Sequence, residues 1–146
     1  MELMELMKRI ELFRGLDDGQ LNRLASISQQ ATYQDDESIL GLDNPGSSMF
    51  ILGQGQVEIQ RRMDTGQVVP ALYLGEGQVF GEMALLEGST RSANVVAARD
   101  NTVVYRINRD DFLQLCQQDT GLGYLVMRNL AQDLSFKLRH RNLSDE

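Results

Sequence analysis

Two residues with complementary chemistry, Glu82 and Arg91, stand nine positions apart in the stretch GEGQVFGEMALLEGSTRSANVVA, residues 75–97. Arg91 offers a planar fork of donors that can grip two phosphate oxygens at once. Glu82 would repel a lone phosphate, so its fitting partner is a hydroxyl that donates to it. A phosphate joined to a sugar satisfies both. Gly75, Gly77 and Gly81 permit a tight backbone, and Gly81, lacking a Cβ, lets amides approach a ligand closely. The segment from Glu82 to Leu86 is long enough for one helical turn, whose first N–H groups favour an anion. Taken alone, Glu82 and Arg91 could also form an ion pair in a surface turn, which contributes little.

Other chemistry has little to work with. His140 is the single histidine and sits among charged residues near the C-terminus, where a solvated side chain is expected. One histidine cannot build the multi-His metal site of a cupin-type enzyme, and no metal or other cofactor is expected. Cys116, the single cysteine, allows no internal disulfide and no Cys-based zinc site, in keeping with a reducing cytosol. It falls on the inner face of a predicted helix without an assignable base, so it reads as an inert buried thiol. No Ser-His-Asp arrangement is assignable, and no enzymatic activity is expected.

The elements that must position Glu82 and Arg91 follow from periodicity. Leu3, Leu6, Met7, Ile10 and Phe13 predict one amphipathic helix over residues 2–13, ended by Gly15. Asp17 and Gln20 predict a capping box for a second helix through about Ser28, with Leu21, Leu24, Ala25 and Ile27 inward. From residue 31 short apolar runs alternate with turn formers: 31–33, 38–40, 49–52, 56–61, 68–74, 78–80, 91–97 and 102–107. Eight short strands at this spacing predict a β-sandwich or barrel. Asn44, Pro45, Gly46 and Ser47 mark one turn, and Asp64, Thr65 and Gly66 another. Pro70 places its strand at a sheet edge or its own start.

Asn108 caps a helix over 109–117 with Phe112 and Leu115 inward, and Asp119 or Thr120 caps a last helix to about Arg139. Gly121 and Gly123 weaken its first turn, a place for a hinge. Leu122, Leu125, Val126, Leu130, Leu134 and Leu138 form a stripe that suits core packing, a dimer seam or a lid, which are not exclusive. Asp133, Lys137, Arg139 and Arg141 are expected in solvent.

The run FGEMALLEGSTRSA, residues 80–93, resembles the phosphate-binding cassette of the cyclic nucleotide-binding domain family, which includes the regulatory subunits of cyclic AMP-dependent kinase and the bacterial catabolite activator. Gly, Glu, Ala, Leu, Gly, Arg and Ala stand in register over that run, which favours a ligand site over a simple ion pair. The opening order of helix, Phe-x-Gly-Leu and helix, and the strand-glycine-strand segment MFILGQGQVEI at 49–59, are similar to the family as well. The resemblance implies a mainly β fold with flanking helices: an eight-stranded jelly roll, or double-stranded β-helix, over 31–107, with helices at 2–30 and 108–142. Residues 1–146 then form one cyclic nucleotide-binding domain.

It also implies roles. Glu82 would hold the ribose 2′-hydroxyl, Arg91 the cyclic phosphate, and the backbone from Gly81 to Ala84 the rest of the cradle. Phe80, Met83, Ser92 and Ala93 complete the cassette, and Ile59, Ala71 and Leu74 would wall the pocket. In this family Ser or Ala after the arginine goes more often with cyclic AMP and Thr with cyclic GMP, so Ser92 leans to cyclic AMP. Where the catabolite activator presents Thr and Ser to adenine, this chain has Lys137 and Leu138, which implies an apolar cap instead.

The totals agree with such a module. At 146 residues and 42% hydrophobic content the chain suits one globular domain. A net charge of −7 and a pI near 4.7 argue against a nucleic-acid surface. About six residues follow the last predicted helix, too few for a helix-turn-helix module of several tens. The N-terminus carries Glu2 and Glu5 ahead of any basic residue and no cleavage site, and no apolar run reaches the roughly 20 residues of a membrane span. The expectation is a stand-alone cytoplasmic sensor or regulatory module that couples ligand to its terminal helix, with a homodimer through that helix and an unidentified effector as partners. The alternatives are a structural or partner-binding domain without ligand, and the sensor part of a longer transcription factor, kinase or channel, with Met1 leaving the C-terminal side open.

Overall fold

A computed structural model describes residues 2–41, 47–86 and 93–144. The first helical region is divided where one helix is expected. Helix α1 covers Leu3–Lys8, Ile10 is extended (φ −83°, ψ 120°), and a 3-10 turn follows at Glu11–Phe13. The reason lies in Leu12. On a straight helix it would point away from the face carrying Leu6, Ile10 and Phe13, because each residue advances about 100°. The break buries Leu12 and Phe13 together with Leu6, Met7 and Ile10.

Helix α2, Asp18–Ser26, starts with the expected capping box: Gln20 N donates to Asp17 Oδ1 at 2.8 Å, and Asp17 N to Gln20 Oε1 at 3.0 Å. It buries Leu21 and Leu24 and ends at Ile27, so that Ser28 already belongs to a strand. The eight strands are β1 Ser28–Tyr33, β2 Ser38–Leu40, β3 Ser48–Gln54, β4 Val57–Arg62, β5 Val68–Leu74, β6 Val79–Phe80, β7 Ala93–Ala97 and β8 Thr102–Asn108. They form two antiparallel four-stranded sheets, ordered β1-β8-β3-β6 and β2-β7-β4-β5, in the jelly-roll manner. The expected turn at 44–46 lies outside the described residues. Pro70 sits on β5, an edge strand, the kind of position that tolerates a residue without an N–H.

Strand β3 divides two cores. Phe50 and Leu52 point between the sheets with Val57, Leu74, Phe80, Val95 and Val104, whereas Met49 and Ile51 point outward into a helical core. Burial on both faces explains why 49–52 reads as an unbroken apolar run. The helical core is closed by α3, Arg109–Gln118, and α4, Thr120–Ser144. Asn108 caps α3 through Asp110 N at 2.9 Å, and Asp119 accepts from Leu122 N at 3.1 Å in the first turn of α4.

Helix α4 runs unbroken through Gly121 and Gly123. At Gly123 a close approach explains the glycine: a Cβ would lie 2.8 Å from Cys116 Cβ and 3.1 Å from its Sγ. Cys116 is half-buried, and burial, with Asp119 nearby, raises its thiol pKa. Along the α4 stripe Leu122, Val126 and Leu130 are buried, Leu125 and Leu134 half-buried, and Leu138 is 61% exposed. The helix thus leaves the core over its last turns.

Candidate functional site

Glu82 is positioned by the junction of the two cores. Phe80, at the end of β6, enters the inter-sheet core and stacks on Phe50 with centroids 5.0 Å apart and planes at 6°. Two residues of the next turn, Ala84 and Leu85, are also buried, Leu85 in the helical core. Between these anchors the chain must reverse within a few residues. Gly81 achieves this at φ 75°, ψ 15°, in the left-handed region that glycine adopts freely. A 3-10 turn, Glu82–Leu85, follows, closed by Ala84 N to Gly81 O at 3.0 Å. It is the helical turn expected there, in 3-10 form, and its first N–H groups have no acceptor within it.

Glu82 therefore leaves the turn with its side chain 24% exposed. It faces α4: Lys137 Nζ stands 3.7 Å from Glu82 Oε1. Both side chains line a cavity of about 620 Å³ bounded by Gln78 and, on β6, Val79, by the turn around Ile10, and by Leu134 on α4. Met83, the next residue of the turn, is 38% exposed.

The remaining predicted site residues divide. Ile59 and Leu74 pack with Phe80 at the inter-sheet core and are not among the residues lining that cavity. Ala71 is exposed and is the extra residue of a bulge, because β4 and β5 pair as Ile59 with Leu72 and then Gln60 with Pro70. Leu72 takes the place opposite Ile59, on the same face as Leu74, and remains 53% exposed. Strict alternation back from Leu74 selects Leu72 rather than Ala71, and only the bulge tells how Ala71 is used. Ala93 begins β7; Arg91 and Ser92 lie outside the described residues.

Two further residues carry structure at this end of the molecule. Asn129, fully buried on α4, donates through Nδ2 to Leu12 O and Arg14 O, each at 2.9 Å. Arg14 in turn reaches Gln132 Oε1 at 2.9 Å and Asp133 Oδ1 at 3.4 Å. Of the four charged α4 residues expected in solvent, Asp133 and Lys137 are thus engaged, Arg139 is exposed, and the side chain of Arg141 falls outside those described. His140 is exposed as expected, yet its ring stacks on Phe136 with centroids 3.8 Å apart. Leu138, the residue expected to cap the base, is exposed, and the neighbouring Lys137 turns toward Glu82. Among the described residues no helix is long and apolar enough to cross a membrane.

Comparison with known proteins follows the same lines. A family model described as "Cyclic nucleotide-binding domain" matches residues 30–119, more than half of the chain. The cyclic AMP receptor protein of Thermus thermophilus is 33% identical over 94% of this chain and 61% of its own length. The crystal structure of the catabolite activator protein from that organism superposes with a TM-score of 0.80 at 32% identity, over 92% of this chain and 61% of that one. A cyclic nucleotide-binding domain from Methylobacillus flagellatus superposes with a TM-score of 0.81 at 26% identity, over 99% of this chain and 82% of that one. A cGMP-dependent protein kinase of Caenorhabditis elegans is 27% identical over 78% of this chain but only 15% of the kinase. The chain spans less than two thirds of these two curated relatives.

Proposed function

The chain belongs to the cyclic nucleotide-binding domain family, and from that we propose that it is a cytoplasmic sensor of cyclic nucleotides, cyclic AMP foremost, that couples ligand to the position of α4. The observation that carries this reading is Glu82, set by the Gly81 turn between two cores and facing α4 across 3.7 Å through Lys137. A hydroxyl donor fits such a carboxylate, and a cyclic phosphate held by Arg91 and the amides of Gly81 to Ala84 supplies the anion. Ser92 and Ala93 follow on the same path. Ile59, Leu74 and the uncovered Leu72 supply apolar wall for the base, with Ala71 at the bulge beside them. The reading is regulatory, not catalytic, and needs no cofactor beyond the ligand.

Ligand shifts α4 only in so far as it binds one helix position better than another, typically about 1–3 kcal/mol of coupling. A net charge of −7 argues against a nucleic-acid partner for this reading. Kinase or receptor activities of relatives belong to proteins much longer than the matched part, and the effector of this domain is a separate question.

Calorimetric titration with cyclic AMP, cyclic GMP and linear AMP tests the reading. Cyclic AMP is expected to bind, and Arg91→Ala to weaken it at least about tenfold, through loss of a charge-assisted contact. No heat and no thermal shift with either cyclic nucleotide would leave a domain that keeps the cassette without its ligand.

A specific observation also favours self-association. Tyr124, Met127, Ala131, Leu134 and Leu138 recur at alternating spacings of three and four along α4, the a/d pattern of a coiled coil. Tyr124 and Leu138 are 66% and 61% exposed. A second copy presenting the same seam is the partner that this repeat fits.

A further inference from the structure

We infer that Arg61 reads the edge of the purine base and gives guanine a hold that adenine lacks; this rests on the sensor reading above. The register of β4 sets the place of the side chain. Ile59 pairs with Val95 of β7 and Arg61 with Ala93, with no bulge between the two pairs. Residues two apart on a strand share a face, so Arg61 follows Val57 and Ile59 on the face turned to the inter-sheet core. Val57 is buried, Ile59 half-buried and Arg61 exposed, so this row runs from the core out to the surface. Ala93, opposite Arg61, is the last residue of the cassette and stands two positions after Arg91, while half-buried Val69 flanks Arg61 on β5. The apolar wall assigned to the base thus ends in a guanidinium.

Among the described residues Arg61 has no hydrogen bond or ion pair. The acid on its own strand, Glu58, lies on the opposite face and is engaged there: Tyr73 Oη donates to Glu58 Oε1 at 3.2 Å and Gln60 Nε2 to Glu58 Oε2 at 3.1 Å. For packing alone a guanidinium at the end of this row contributes little, whereas beside a ligand it has a planar fork of donors to offer. What that fork can recognise separates the purines. Guanine presents O6 and N7 side by side, two acceptors that match two donors of one guanidinium. Adenine presents N7 beside its N6 amino group, a donor that opposes the second N–H. The 2-amino group of guanine lies on a different edge. Hypoxanthine keeps O6 and N7 and lacks that amino group, so cyclic IMP isolates the edge that Arg61 reads.

Calorimetry on the full chain with cyclic AMP, cyclic GMP and cyclic IMP tests this. Arg61→Met keeps an unbranched stem and removes the fork. It is expected to raise the Kd for cyclic GMP and cyclic IMP by about five- to fiftyfold, within the discrimination of a bidentate guanine contact, and to leave that for cyclic AMP within about twofold. Arg61→Lys keeps the charge without the fork and should recover little of the difference. Arg61 is exposed, so the ligand-free melting temperature of both variants should match the parent's. Equal weakening of all three ligands would assign Arg61 to the phosphate, and unchanged affinities would assign it to solvent; either overturns the proposal and leaves the sensor reading in place. A loss confined to cyclic GMP puts the contact at the 2-amino group and overturns it too, as does a parent that binds cyclic AMP alone. Absence of binding of all three by the unsubstituted chain removes both readings.

Discussion

Asn129 Nδ2 donates to the carbonyl oxygen of Leu12 at 2.9 Å, joining α4 to the 3-10 turn near the N-terminus inside the helical core. The same amide group reaches Arg14 O at 2.9 Å, and its own oxygen accepts from Arg128 Nη2 at 3.1 Å. The side chain is fully buried, so each of these bonds replaces water that cannot enter. This is how the break in the first helical region is satisfied: carbonyls released by the 3-10 turn find their donor on another helix.

Asn129→Leu keeps the branching at Cγ, with somewhat bulkier ends, and removes the donor. It leaves Leu12 O and Arg14 O without their partner, which should lower unfolding free energy by about 1–3 kcal/mol in urea titrations. A change below about 0.5 kcal/mol would show that water replaces the amide.

Two glycines of α4 should respond oppositely to alanine. At an exposed position near its start, Gly121→Ala meets nothing closer than 3.6 Å and should gain up to about 1 kcal/mol from helix propensity. At Gly123 the new methyl would stand 2.8 Å from Cys116 Cβ, so overpacking should cost about 1–3 kcal/mol despite the same propensity gain. Thermal melts of the two variants give the signs directly, and two gains would show that α3 and α4 separate readily.

Much of this was legible from local chemistry. Asp17 and Gln20 announced their capping box, Asn108 its helix, Pro70 an edge strand or a strand start, and the apolar run at 49–52 a strand. Each of those signals is complete within a few residues. Leu12 was not legible in the same way, because its burial depends on a second helix that approaches from the far end of the chain. Lys137 and Asn129 were missed for a related reason: on a helix wheel they look like ordinary polar positions, and only the approach of α4 to the Glu82 turn and to the N-terminal 3-10 turn gives them partners. The cassette was recognisable as a motif, yet the bulge that displaces Ala71 and brings Leu72 opposite Ile59 is a matter of pairing between β4 and β5.

Asp119 should shape the acid limb of stability. Its carboxylate accepts from Leu122 N, from Arg23 and from Gln20, and these bonds, the backbone one foremost, hold its pKa below the ordinary 3.8. The unfolded chain therefore takes up this proton at a higher pH than the folded one. The stabilisation is present in full above the ordinary carboxylate value and is lost as pH falls through the depressed one. Asp119→Asn should be less stable than the parent at pH 7, and the difference should shrink as pH is lowered from about 4 toward 2. Urea midpoints across that range measure it, and a constant gap would assign the effect to packing rather than ionisation.

The α4 seam makes a different demand, on assembly instead of folding. Leu138 and Tyr124 lie fourteen residues apart in sequence, four turns along one face, with Ala131 midway. Both are exposed in the single chain, and neither belongs to the helical core, so a charge at either place should leave the fold intact. Leu138→Glu brings like charges together across a two-fold seam, where the side chains of the two copies would meet. The parent is expected to scatter light as a dimer at tens of micromolar, and Leu138→Glu as a monomer with the same melting profile at low concentration. A parent that remains monomeric at those concentrations rules out the seam. A variant that stays dimeric places the contact elsewhere.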